Sequence, residues 1–85
     1  MAAGRYEIVY GESAIRDLDR LPDRQRSQIL RKIERLQDGL HGDIKHLRGT
    51  DVAYRLRMGD YRVLFDVEEG AILIRRVGHR REVYD

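Results

Sequence analysis

The stretch that decides the fold is Ala53-Tyr54-Arg55-Leu56-Arg57-Met58-Gly59-Asp60-Tyr61-Arg62-Val63-Leu64-Phe65-Asp66-Val67. It holds two alternating runs separated by glycine and aspartate, the pattern of a β-hairpin with a tight turn. Side chains two apart on a strand share a face. Tyr54, Leu56, Met58, Tyr61, Val63, Phe65 and Val67 therefore form an apolar face fit to carry helices. Arg55, Arg57 and Arg62 fall together on the other face, where Asp66 is the only acid of the hairpin. Guanidinium groups gathered in this way repel one another unless an anion sits among them.

Working outward, Glu68-Glu69-Gly70 makes a second turn, and Ala71 to Val77 is apolar enough for an interior strand. Upstream, Leu40 to Asp51 reads as a loop. Before it, Ile29, Leu30, Ile33 and Leu36 recur at helical spacing, with Asp38-Gly39 as the stop. Ala14, Ile15, Leu18 and Leu21 form the stripe of a shorter helix, capped by Gly11 or Ser13, with Arg16, Asp17, Asp19 and Arg20 on its polar side. Pro22 ends that helix and is read as the first residue of the next. Tyr6 to Tyr10 alternates as an opening strand. The expected fold is α+β, a single domain over residues 1–85. Two N-terminal helices pack on one face of a small, mainly antiparallel four-stranded sheet in the order β-α-α-β-β-β.

The 85 residues contain no cysteine, and no apolar run approaches the roughly 20 residues of a membrane span. The opening residues lack the pattern of a signal peptide. A soluble protein of the cytoplasm, with no membrane partner, is expected. The net charge is only +2, but the bases are nearly all arginine, with lysine at 32 and 45 alone. Acids and bases cancel from Met1 to Ile44. Five bases then face Asp51 and Asp60 between Lys45 and Arg62, and four bases stand without an acid between Arg75 and Arg81. Arginine's planar fork matches phosphate oxygens, so the clustering favours a polyanion, against the simpler reading of a solvated surface. Lys45, Arg48, Arg55, Arg57 and Arg81 are the candidate phosphate contacts. The second helix carries Arg24, Arg26, Arg31, Lys32 and Arg35, but Asp23, Glu34 and Asp38 are mixed among them, so it reads as a solvated face.

Proton chemistry points to the C-terminal run Arg75-Arg76-Val77-Gly78-His79-Arg80-Arg81-Glu82-Val83-Tyr84. His79 either moves protons near neutral pH or only caps a strand end. Tyr84 stacks on a base, donates to a phosphate, acts as an acid, or packs against the sheet edge. His41 and His46 have no cluster about them. No zinc-binding His-Glu-x-x-His pattern or carboxylate cluster is present, so neither a metal nor a cofactor is called for. RNA cleavage fits such a set without a metal. The ribose 2′-hydroxyl attacks phosphorus, guanidiniums stabilise the developing charge, and an acid protonates the leaving 5′ oxygen.

Leu47-Arg48-Gly49, Tyr54 to Arg57, Gly59 to Phe65 and Arg76 to Tyr84 together resemble the RelE/ParE superfamily of toxin–antitoxin toxins, in its RelE-like branch. The resemblance spans nearly the whole chain. It implies a ribosome-dependent endoribonuclease, an mRNA interferase that inhibits translation and is neutralised by a cognate antitoxin. Operator DNA would be met only through that antitoxin. It also implies that Arg62 and Arg80 stabilise the scissile phosphate, that Arg55 and Arg57 supply charge, and that Tyr84 positions substrate or assists proton transfer. Placing His79 as acid or base rests on its chemistry alone. Some relatives carry lysines where Arg55 and Arg57 stand. On the same fold, the alternatives are a ParE-like inhibitor of DNA gyrase and a homologue that binds its antitoxin without cutting RNA.

Overall fold

A computed structural model describes residues 5–83; Tyr84, one of the expected site residues, lies outside the described residues. The order is β1 (Glu7–Tyr10), α1 (Glu12–Arg20), α2 (Asp23–Arg35), a 3-10 turn (Leu36–Asp38), β2 (Asp43–His46), β3 (Tyr54–Met58), β4 (Tyr61–Glu68), β5 (Ala71–His79) and a single helical turn α3 (Arg80–Val83). The sheet has five strands in the order β1-β5-β4-β3-β2. β1 runs parallel to β5 and every other pairing is antiparallel.

The fold class and the mainly antiparallel sheet agree with the sequence, but the strand count does not. The additional strand is β2, inside the segment read as a loop. Its Asp-Ile-Lys-His run has one apolar residue and little strand propensity of its own. It is a strand because β3 offers it an edge, with Ile44 opposite Leu56. α3, too, had not been foreseen.

The hairpin at the centre of the chain turns at Gly59, whose φ of 59° is the left-handed value a two-residue turn of this kind needs at its first position. Its apolar face carries the helices as expected. Ala14 and Leu18 of α1 and Ile29 and Ile33 of α2 meet Leu56, Val63, Phe65, Ile72 and Ile74 in one buried cluster. Ile15, placed in the apolar stripe by spacing, is instead 49% exposed. Pro22 does not open α2 as its first residue. Its ψ of 149° is extended, and its carbonyl accepts the Arg26 N–H at 2.9 Å, the position just before the helix. Among the described residues, no helix is long and apolar enough to cross a membrane.

Candidate functional site

The sheet face away from this core is organised by register into two rows. Asp43, Arg57, Arg62 and Gly78 line up across β2 to β5, and Lys45, Arg55, Leu64 and Arg76 form the next row. Paired residues on adjacent strands lie about 5 Å apart at Cα, so each row is a contiguous surface. Arg55, Arg57 and Arg62 thus share a face as predicted, and β2 adds Lys45 beside Arg55.

The three arginines differ in state. Arg57 is exposed. Arg55 is mostly covered, with 18% of its side chain exposed, and its Nη2 donates to Asp43 at 3.1 Å. Its Nε is buried without an acceptor among the described residues. Arg62 is 7% exposed, and its Nη1 donates to the carbonyls of Gly59 and Tyr61 at 2.7 and 2.9 Å. Arg62 thus holds the turn between β3 and β4 and sets its positive charge directly beneath it. Asp66 remains the hairpin's one acid on this face, and β2 adds a second from outside it. Asp43 lies opposite Arg57, 4.0 Å from its Nη1, as well as touching Arg55. Asp43 is 56% exposed, so solvent screens both contacts.

Arg75 and Arg76, taken from sequence as part of the basic run, are committed to internal partners. β1 covers β5 only from Ala71 to Ile74. Arg75 then bulges out of the ladder, since Phe65 pairs with Ile74 and Leu64 with Arg76. The bulged guanidinium reaches Asp66 at 2.7 Å, and the other oxygen of Asp66 accepts the Ala53 N–H at 2.8 Å. Beyond the bulge, β5 has no strand on its outer side among the described residues, and α1 supplies the missing acceptor. Asp17, 9% exposed, accepts the Val77 N–H at 2.9 Å and Arg76 Nε at 2.7 Å. The hydrogen bond to Asp17 raises the Arg76 pKa above its ordinary value, partial burial opposing and the carboxylate's charge adding to it. Sequence periodicity had put Asp17 on a polar helix face. Only the end of β1, together with the bulge at Arg75, makes that carboxylate a strand partner, and neither is visible in α1.

This tether fixes the segment that carries the C-terminal candidates. Gly78 stands opposite Arg62, and a Cβ there would come within 3.0 Å of Val83 Cγ1. The missing side chain lets α3 lie down on the arginine face, with Val83 buried. The Arg80 N–H donates to the Asp60 carbonyl at 2.8 Å, pinning the start of α3 to the same turn that Arg62 holds. Arg80 and Arg81 are exposed there, as are Lys45 and Arg48 on and after β2. Among the described residues these four make no ion pair. A cleft of about 380 Å³ opens beside α3, with Leu47, Val52, Leu64 and Val83 among its walls and Arg75 and Arg76 at its side.

His79 is placed differently. It pairs with Tyr61, whose ring it meets edge-on at 6.0 Å, so its side chain leaves β5 on the Tyr61 side rather than the Arg62 side. Its Nδ1 accepts the Arg81 N–H at 3.2 Å. That bond places the proton of the neutral ring on Nε2, which makes Nε2 a donor.

Comparison with known proteins agrees with this architecture. The family model of the ParE toxin of type II toxin–antitoxin system, parDE, matches residues 8–84. The chain is 33% identical over 84 residues to Toxin RelE3 of Methanocaldococcus jannaschii, covering 93% of this chain and 96% of that protein. The crystal structure of a RelB–RelE antitoxin–toxin complex from Methanococcus jannaschii superposes with a TM-score of 0.75 at 33% identity, over 91% of this chain and 95% of the other. The toxin–antitoxin complex RelBE2 from Mycobacterium tuberculosis gives a TM-score of 0.77 at 28% identity, over 89% and 99%. With its two-row arginine face and its RelE relatives, the chain belongs to the RelE/ParE superfamily of type II toxin–antitoxin toxins.

Proposed function

We propose that this RelE-like toxin is an mRNA interferase, a ribosome-dependent endoribonuclease of the cytoplasm that cuts mRNA and inhibits translation. The observation that carries this reading is the pair of cross-strand rows that set Lys45, Arg55 and Arg57 on one face, with Arg62 beneath it and Arg80 and Arg81 laid at its end by α3. Such a face binds a phosphodiester and stabilises charge that grows on its oxygens as phosphorus is attacked. In the reaction the ribose 2′-oxygen bonds to phosphorus and its proton passes to a base. The bond from phosphorus to the 5′ oxygen breaks, and that oxygen takes a proton from an acid. The products are a 2′,3′-cyclic phosphate and a 5′-hydroxyl end, and no metal or cofactor is required.

In this scheme Arg55 and Arg57 grip the scissile phosphate, and Arg80 approaches it from α3. Arg62 adds charge from below and keeps the turn in place. Lys45, Arg48 and Arg81 contact flanking phosphates. Tyr84, one residue beyond buried Val83, positions the substrate or hands on a proton. His79, with Nε2 set as a donor in the neutral ring, hydrogen-bonds a phosphate oxygen at the rim, and acts as an acid only once a second proton on Nδ1 replaces the bond from the Arg81 N–H. The RelB–RelE complexes among its relatives support a cognate antitoxin as its protein partner. Operator DNA, in this proposal, is reached only through that antitoxin. The matching ParE family model favours a second reading, a gyrase inhibitor on the same fold.

One experiment separates the two. The purified chain is added to a cell-free translation reaction and, in parallel, to a gyrase supercoiling assay. Cleavage of transcripts only while they are translated, with 2′,3′-cyclic phosphate ends and gyrase unaffected, is the expected result. Intact transcripts with blocked supercoiling would establish the gyrase reading instead.

A further inference from the structure

Charge balance along the first half of the chain conceals a separation in space. Asp17 is consumed by Arg76, Asp23 pairs with Arg26 at 3.1 Å, and Asp43 goes to Arg55. Glu34, though exposed, lies close enough to Tyr10 of β1 that its charge adds to burial in raising the Tyr10 pKa. What is left on the outer side of α2 is Arg24, Gln28, Arg31, Lys32 and Arg35, four cations and an amide at the spacing of one helical stripe. The four cations are exposed and make no ion pair among the described residues. Asp38, beyond the end of the helix, makes none with them either.

The stripe has a floor and a direction. A groove of about 340 Å³ runs between Gln28, Arg31, Lys32, Arg35 and Met58, the last residue of β3. A recess of about 180 Å³ joins Lys32 and Arg35 to His41 and Gly42, immediately before β2. The stripe therefore runs onto the β2–β3 edge of the sheet, and Arg57 and Lys45 stand exposed on the far side of that edge. Lys32 and Arg35 suit a helix C-terminus, but Arg31 and Arg35 stand four apart, where like charges on a helix repel. A neighbouring polyanion reverses that repulsion.

We propose that the outer stripe of α2 is a second RNA-contacting surface, continuous around the β2–β3 edge with the phosphate face. An RNA chain held by Arg55 and Arg57 meets Arg31 and Arg35 where it leaves the site, through its backbone and without reading its bases. This extends the proposed ribonuclease reading and rests on it.

The test measures binding of the full chain to a 2′-O-methyl RNA hairpin, which cannot be cleaved by 2′-hydroxyl attack, as a function of salt. Arg31→Gln/Arg35→Gln should weaken binding roughly tenfold at low salt and flatten the slope of log K against log salt by about 1.5. Arg5→Gln/Arg16→Gln, which removes the same charge elsewhere, should leave the slope unchanged. Equal effects from the two pairs, or none from the α2 pair while Arg57→Gln still weakens binding, would overturn the second surface and leave the site reading intact. Loss of affinity in none of the variants would instead remove the RNA-binding face itself.

Discussion

The two halves of β5 are held by different means. From Ala71 to Ile74 the strand lies between β1 and β4, with Ile72 and Ile74 fully buried. From Arg75 to His79 it has β4 on one side, and on the other the carboxylate of Asp17 in place of a strand. The first half is anchored in the core by Ile72 and Ile74, whereas the second keeps only Val77 there and turns the rest of its length to the site. A ladder gives rigidity without consulting individual side chains, whereas the site end depends on one acid 60 residues away in the chain. The difference predicts how each half fails.

The largest loss should come from the core half. Ile72→Ala removes a fully buried side chain and should cost about 3 kcal/mol, read as a global shift of the denaturation midpoint. Asp17→Ala should cost about 2 kcal/mol by stranding the Val77 N–H, with fast amide exchange concentrated in residues 76–83. Asp17→Asn keeps an acceptor and should restore most of the Val77 protection. Uniform loss of protection in Asp17→Ala would mean that the two halves are one cooperative unit.

A smaller perturbation tests how α3 is seated. In Gly78→Ala the new methyl would lie 3.0 Å from Val83 Cγ1, so Val83 must give by a few tenths of an ångström, which disturbs the seating of α3. Stability should fall by only about 1 kcal/mol, because the core is untouched. The methyl resonances of Val83 should move, and cleavage of translated mRNA should drop by far more than stability accounts for. Unmoved Val83 resonances would show that the close approach does not seat the turn.

The sequence carried its clearest information where local pattern and tertiary role coincide. The alternation from Tyr54 to Val67 and the Gly59 turn defined the central hairpin and the side on which Arg55, Arg57 and Arg62 lie. β2 was illegible because Asp43 to His46 acquires its strand character from β3, and with it went Asp43 as a partner for the arginines. Asp17 looked like any exposed helix acid, since its role is set by the end of β1 and the bulge at Arg75. His79 sits among arginines in sequence yet leaves the strand on the opposite side from Arg62, because pairing alternates faces along β5. The C-terminal arginines divide for the same reason. Arg75 and Arg76 are held by Asp66 and Asp17, while Arg80 and Arg81 reach solvent on α3.

The most direct test of the central claim is the single-turnover rate of mRNA cleavage on translating ribosomes. Arg55→Gln/Arg57→Gln should be compared with Arg5→Gln/Arg16→Gln, which lowers the charge equally without touching either row of the face. The first pair should lose roughly 100-fold or more, and the second should cleave at an unchanged rate. Cleavage at the full rate by Arg55→Gln/Arg57→Gln would contradict the assignment of this sheet face as the site of RNA cleavage.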